Sequence, residues 1–137
     1  MSKLVVVYHS GFGHTKLQAE AVHSGAAGVD GIDAELLTTD EAIERLDDLD
    51  AADAIIFGCP TYMGNMAAEM KKFQEVAVTK WFTQSWKNKI AGAFTNSSSF
   101  SGDKLNTLIG LVIISMQHGM IYVGTGMFPS ANDPEGL

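Results

Sequence analysis

The chain has 137 residues, a length typical of one domain, and we expect a single domain over residues 1–137. Its 9 basic and 16 acidic residues give a formal net charge of −7, which argues against the basic surface that nucleic acid or an anionic membrane requires. The single cysteine, Cys59, cannot form an internal disulfide. No apolar run approaches the roughly 20 residues that cross a bilayer, and the first residues predict a strand instead of a signal peptide. We therefore expect a cytoplasmic protein that binds neither nucleic acid nor membranes.

Five apolar runs, rich in β-branched residues, alternate with helical patterns along the chain. The predicted strands cover residues 4–8, 32–37, 54–58, 90–95 and 120–124. Helical patterns begin at residue 14 and cover residues 64–80 and 103–118. This alternation is typical of an α/β protein, with an open parallel sheet and helices on both faces.

Two further segments need an interpretation. Residues 40–53 contain seven carboxylates and one arginine, which predicts a solvated short helix and linker. Residues 125–137 are rich in Gly, Pro and Asn and show no helical pattern. Because a fifth strand normally continues into a helix that covers the sheet, we expect that a C-terminal segment is missing from this sequence.

Three loops follow the first, third and fourth predicted strands, and in a parallel sheet they share the carboxyl edge, where ligands bind. The first loop has two glycines and leads directly into a helix, whose unpaired N–H groups can hold a phosphate. Its spacing matches neither a nucleoside triphosphate loop nor a full dinucleotide fingerprint, so a plain strand-to-helix turn is the alternative. The second loop supplies an aromatic ring and a thioether, and the third supplies polar groups. Together they would accommodate FMN, with the phosphate in the first loop and the flat ring between the other two.

The candidate cofactor-binding residues are therefore those of the three loops. They are Ser10, Gly11, Phe12, Gly13, His14 and Thr15 in the first loop, Pro60, Thr61, Tyr62, Met63, Gly64 and Asn65 in the second, and Thr95, Asn96, Ser97, Ser98, Ser99, Phe100, Ser101 and Gly102 in the third.

The sequence resembles the WrbA-type flavoproteins, which are flavodoxin-like NAD(P)H:quinone oxidoreductases within the wider NADPH-dependent FMN reductase family. The resemblance covers nearly the whole chain and is carried by Y-H-S-G-F-G-H at residues 8–14, G-C-P-T-Y-M-G-N-M at residues 58–66 and H-G-M at residues 118–120. It implies a flavodoxin-like three-layer sandwich whose five parallel strands lie in the order 2-1-3-4-5. It also implies FMN in the three loops, NADH or NADPH as the electron donor and a quinone-like acceptor.

The resemblance assigns roles to individual residues as well. It implies that His118 lies at the flavin, where it would be the catalytic hydrogen-bond donor, and that Trp81 lines the substrate pocket together with Phe12. Without the resemblance, His118 would cap the end of its helix and Trp81 would attach a helix to the sheet. Cys59 is expected to be a packed, inert thiol. No histidine–carboxylate cluster has the spacing of metal ligands, so we expect no metal site.

The departures from the family concern assembly and activity. Only residues 39–52 separate the second predicted strand from the third, whereas WrbA-type proteins carry a longer insertion associated with their tetramer. Because related flavoproteins associate so that a neighbour completes the flavin pocket, we expect a homodimer or homotetramer, with the dimer favoured. The expected reaction transfers two electrons from NAD(P)H to a quinone. The alternatives are a flavodoxin-type one-electron carrier, whose acidic stretch would dock basic redox partners, and a scaffold of the same fold without a cofactor.

Overall fold

The computed structural model describes residues 1–128 and residue 135. In this part of the chain the strands are β1 (Ser2–Tyr8), β2 (Ile32–Thr38), β3 (Ala54–Tyr62), β4 (Asn65–Met66), β5 (Ile90–Asn96) and β6 (Ile121–Tyr122). The helices are α1 (His14–Ala27), α2 (Thr39–Glu44), α3 (Ala68–Val76), α4 (Val78–Phe82) and α5 (Leu105–Gln117), with a 3-10 helix at Leu46–Ala51. No helix in these residues is long and apolar enough to cross a membrane.

The strands form one sheet in the order β2-β1-β3-β5-β6, and all the pairs along this path are parallel. This confirms the expected order 2-1-3-4-5, because β5 and β6 are the fourth and fifth parallel strands of the chain. The short strand β4 lies off this path and pairs antiparallel with the end of β3. The fold is the expected flavodoxin-like sandwich.

The side chains of β1 divide the core into two layers, because successive residues of a strand point to opposite faces. Val5 and Val7 belong to the larger cluster, in which α3 and α5 cover one face through residues such as Phe73 and Leu111. On the other face, Val6 packs with residues of α1. Since both faces of β1 are covered, its run of apolar residues is continuous instead of alternating.

The structure corrects the predicted elements around residues 59–80. β3 continues through Thr61 to Tyr62, four residues beyond the predicted end, and pairs with β4 across a tight turn. Met63 and Gly64 form this turn with φ angles of 51° and 74°, the left-handed conformation that two-residue hairpins require. The helix predicted from residue 64 therefore begins only at Ala68, and it breaks into α3 and α4. Within the stretch 125–137, for which no helix was predicted, residues 129–134, 136 and 137 lie outside the described residues.

Gly58 allows an unusually close contact in the centre of the sheet. It is the partner of Phe94 in the pairing of β3 with β5. A Cβ atom at Gly58 would overlap the ring of Phe94, whereas a Cβ at Gly92 would lie 3.6 Å from Ile56 Cγ1, an ordinary contact. The ring of Phe94 therefore occupies the space that any other residue at position 58 would need.

We expect Gly58→Ala to lower the free energy of unfolding by about 3 kcal/mol, because the added methyl group forces Phe94 out of its packed position. Gly92→Ala is the matched control in the neighbouring strand, and its change should stay within about 1 kcal/mol. Urea unfolding followed by circular dichroism measures both values. Equal stability of the two variants would show that Phe94 can move aside without cost.

Candidate functional site

A cleft of about 690 Å³ lies at the carboxyl edge of the sheet. It sits where the strand order reverses between β1 and β3, the position at which open α/β sheets bind ligands. All the residues that line it belong to the three predicted loops, except Gln18 of α1, which no sequence motif indicates. The lining residues are Phe12, His14, Thr15, Gln18, Pro60, Thr61, Tyr62, Asn96, Ser97 and Ser98.

The first loop presents free backbone N–H groups to the cleft. Ser10 Oγ accepts hydrogen bonds from the amides of Gly13 and Lys16, each at 3.1 Å, and thereby fixes the turn. Gly13 has a φ of 97°, a conformation that favours glycine. The amides of His14 and Thr15, at the start of α1, make no hydrogen bond within the described part of the chain. Unpaired amides at a helix N-terminus are an anion-binding arrangement.

An aromatic wall formed by Phe12 and Tyr62 stands beside the first loop. The two rings pack edge to face, with centroids 6.2 Å apart and an interplanar angle of 78°. A Cβ at Gly11 would overlap the Tyr62 hydroxyl, so this glycine lets the tyrosine lie close to the loop. Phe12 is 83% exposed, and the neighbouring Met63 is fully exposed. A flat, solvent-accessible apolar surface therefore borders the anion site.

Threonine hydroxyls join the strand ends beneath the cleft. The Oγ1 atoms of Thr61 and Thr95 are 2.8 Å apart, and Thr61 donates to Thr107 Oγ1 at 2.8 Å. Thr95 also donates to the carbonyl of Cys59 at 2.7 Å. These bonds connect β3, β5 and the first turn of α5. Because the groups are buried or half-buried, satisfied bonds of this kind hold the floor of the cleft in one arrangement.

The third loop contributes only its first residues to the cleft. Ser97 Oγ donates to the Asp103 carboxylate at 2.7 Å, and Lys104 Nζ donates to the Ser99 carbonyl at 2.6 Å. Asp103 and Lys104 therefore shape this loop, although no motif in the sequence identified them. The predicted loop residues that do not line the cleft are Ser10, Gly11, Gly13, Met63, Gly64, Asn65, Thr95, Ser99, Phe100, Ser101 and Gly102.

His118 lies away from the cleft. Helix α5 starts after the third loop, and its 13 residues extend roughly 20 Å toward the opposite edge of the sheet. There the Gly119 carbonyl accepts from Asn88, just before β5 begins. His118 is 5% exposed, its ring centroid is 4.5 Å from that of Trp86, and burial lowers its pKa. In a single copy of the chain, His118 is a packed residue at a helix end and does not meet the three loops, contrary to what the resemblance implies.

Trp81 is at the same distant edge. It belongs to α4, and its ring centroid is 4.9 Å from that of Phe82. The adjacent Lys80 places this helix, since its ammonium group is 2.7 Å from the Asp50 carboxylate, which precedes β3. A single copy of the chain therefore does not bring Trp81 to Phe12, because α3 and α4 together lead away from the cleft.

Cys59 is fully buried within β3. Burial raises the pKa of its thiol to about 11, against a weaker opposing effect of the Ala67 backbone. The thiol is therefore protonated at neutral pH and lacks the thiolate needed for nucleophilic chemistry. Within residues 1–128 and residue 135, no group of three or more His, Cys, Asp or Glu residues could hold a metal ion.

The parallel strand order and the ligand cleft at its reversal point define a flavodoxin-like protein. The chain belongs to the NADPH-dependent FMN reductase family, whose model matches residues 13–135. This confirms the resemblance drawn from the motifs at residues 8–14, 58–66 and 118–120.

Individual relatives point in two functional directions. Flavodoxin FldP of Pseudomonas aeruginosa is 46% identical over 131 residues, which cover 95% of this chain and 70% of that protein. An NAD(P)H dehydrogenase (quinone) of Syntrophobacter fumaroxidans is 33% identical over 144 residues, covering 89% and 71%. Among solved structures, a flavodoxin, WrbA-like protein from Agrobacterium tumefaciens superimposes with a TM-score of 0.82 at 48% identity, covering 92% of this chain and 79% of the other.

We expect Gly13→Ala to destabilise the first loop by about 1–2 kcal/mol and to weaken FMN binding, because an alanine is strained at a φ of 97°. No atom lies within 4 Å of the position of the added Cβ, so the effect comes from the backbone alone. Gly25→Ala, in the interior of α1 with equally free space, is the control and should gain about 0.5–1 kcal/mol. Thermal unfolding and flavin titration measure both, and a neutral Gly13→Ala would contradict the strained conformation.

Proposed function

We propose that the chain is an FMN-dependent oxidoreductase that transfers two electrons from NADH or NADPH to a quinone-like acceptor. The observation that carries this proposal is the combination of a free helix N-terminus and an exposed aromatic wall in one cleft. The cleft volume of about 690 Å³ falls within the usual range of cofactor sites. FMN supplies the hydride and electron chemistry when it is bound.

The residues of the cleft divide the work of binding. The amides of His14 and Thr15, together with the dipole of α1, suit the phosphate group. We assign Thr15 its amide as the phosphate donor, because its hydroxyl already donates to Asn96 Oδ1 at 3.3 Å. Tyr62 suits the flat ring, and the polar groups of Ser97 and Ser98 suit its hydrogen-bonding edge. Each part of FMN thus has a matching group among the residues that line the cleft.

The reaction needs little acid–base help from the chain. Hydride transfer between two stacked ligands uses neither a nucleophile nor a general base of the protein. The required contribution is access, and the 83% exposed Phe12 lies where an acceptor ring could stack at the mouth of the cleft. The burial of His118 and the position of Trp81 therefore leave this proposal intact for a single copy of the chain.

A flavodoxin-type electron carrier is the second candidate, favoured by the 46% identity with flavodoxin FldP. The acidic stretch keeps exposed carboxylates that could dock a basic partner. Five of its seven carboxylates make contacts within the chain, but the side chains of Asp47 and Asp48 are still 95% and 52% exposed. The five are Glu41 with Thr38, Asp47 and Asp50 with Lys80, Asp48 with Arg45, and Asp53 with the Lys3 amide.

The purified, reconstituted protein should contain FMN and oxidise NADH or NADPH with a water-soluble quinone as the acceptor. Chromatography of the heat-released flavin identifies the cofactor, and absorbance at 340 nm follows the donor. The flavin-free protein is the control for background oxidation. Finding FAD, or no flavin after reconstitution, would contradict the proposal. A protein that binds FMN but is reduced only by an added redox protein would be the electron carrier.

The proposed reductase also associates with a second copy of itself, and α5 is the surface that suits this contact. Leu105, Ile109, Ile113 and Met116 form a stripe along this helix and are 46–70% exposed. None of the 13 residues of α5 is charged, although the chain as a whole carries a charge of −7. Two such chains repel each other, so they can approach most closely where neither presents a charge. A twofold contact would place the same stripe of each copy against the other.

We expect the wild type to be a dimer at micromolar concentration and Ile113→Glu to be a monomer. The twofold contact would bury the new carboxylate close to the same carboxylate of the second copy. Val29→Glu, at a 56% exposed position on the turn after α1, is the matched control and should remain dimeric. Sedimentation velocity measures the masses. A monomeric wild type, or a dimeric Ile113→Glu variant, would show that α5 is not the contact.

A further inference from the structure

The side-chain amide of Gln18 connects the two halves of the cleft. Gln18 lies one turn into α1, and its Oε1 accepts from Asn96 Nδ2 at 2.8 Å. Its Nε2 donates to the Thr95 carbonyl at 3.4 Å. The hydroxyl of Thr15 adds a third bond, to Asn96 Oδ1 at 3.3 Å. We call these three bonds, made by Thr15 and Gln18 with Thr95 and Asn96, the amide bridge.

The amide bridge joins segments that the sheet itself does not join. The helix α1 continues from β1, and Thr95 and Asn96 end β5, but β3 lies between these two strands. Two strand spacings separate β1 from β5 by roughly 10 Å, so no ladder hydrogen bond can set the position of one strand end against the other. The amide bridge spans this gap directly, at the edge where the cleft opens.

The two joined segments carry different parts of the proposed ligand site. The first turn of α1 presents the amides of His14 and Thr15, which suit a phosphate. The end of β5 presents Asn96 and the following serines, which suit the edge of a flat ring. A ligand that holds both groups gains affinity only when the two subsites are at the matching distance, since the second contact is then intramolecular.

We propose that Gln18 is a positioning residue that sets the distance between the phosphate subsite and the ring subsite, and so selects FMN over its separate parts. This inference rests on the proposed FMN site. Gln18 acts through Asn96 and Thr95, because both ends of its amide are engaged by β5. Its replacement therefore changes the relative placement of the subsites and leaves each subsite formed.

The test compares FMN with its two halves. Gln18→Leu removes both bonds of the side chain, and Gln18→Asn keeps the amide on a stem one methylene too short to reach β5. Each variant should lose roughly 10-fold in FMN affinity, while its affinities for riboflavin and for inorganic phosphate match those of the wild type. Fluorescence quenching measures the flavins and calorimetry measures phosphate. Gln117→Leu, the same exchange at an exposed position at the end of α5, is the control.

Each other outcome overturns the inference. Unchanged FMN affinity in both variants would show that Gln18 does not set the distance. A parallel loss for FMN, riboflavin and phosphate would indicate general loosening of the fold, and a loss for one half alone would indicate a direct contact. If Gln18→Leu does not fold, Gln18→Asn decides. A wild type that binds no FMN would instead refute the proposed function, so the two failures are distinguishable.

Discussion

The reversal of strand order between β1 and β3 is the constraint on which the site depends. β1 continues into α1 on one face of the sheet, and β3 leads through β4 into α3 on the other face. The two connections leave the carboxyl edge in opposite directions, so neither covers the space between the strand ends. The free amides of α1 and the rings of Phe12 and Tyr62 can meet a ligand there only because of this divergence.

Much of the fold could be predicted from the alternation of buried strands with helical patterns, because parallel sheets covered on both faces produce continuous apolar runs. The end of β3 could not. Pro60 argues against a strand, since it cannot donate to the ladder. The proline is tolerated because of the side that its nitrogen faces. The Gly58 carbonyl accepts from the amide of His9, so the backbone groups of Gly58 point toward β1. The backbone groups of Pro60, two residues later, point to the same side, where β1 has already ended, and no hydrogen bond between strands is lost.

The candidate site was predictable to the extent that it follows from strand ends. The first turn of α1 and the end of β3 line the cleft because each lies at the carboxyl end of a parallel strand, β1 for α1 and β3 itself. Trp81 and His118 were assigned by resemblance alone, and the lengths of α3, α4 and α5 carry both of them to the other edge. Gln18 was not predicted because its contacts are distant in the sequence. It lies within a helix, its partners are 77 and 78 residues away, and no local pattern announces a contact across an intervening strand.

The hydrogen bonds of Glu35 in β2 and the hydrogen bonds beneath the cleft differ in how they respond to pH. The carboxyl of Glu35 is disfavoured as an anion by burial, but hydrogen bonds from Lys3 and Arg45 outweigh this and lower its pKa, so the stability it provides is lost as the pH falls through that lowered value. Acid therefore weakens the bonds by which Glu35 of β2 holds Lys3 and Arg45. The bonds among Thr61, Thr95 and the amide bridge join hydroxyl, amide and carbonyl groups, which do not titrate in the same range. The floor of the cleft can thus keep its shape in acid for as long as the rest of the sheet stays folded around it.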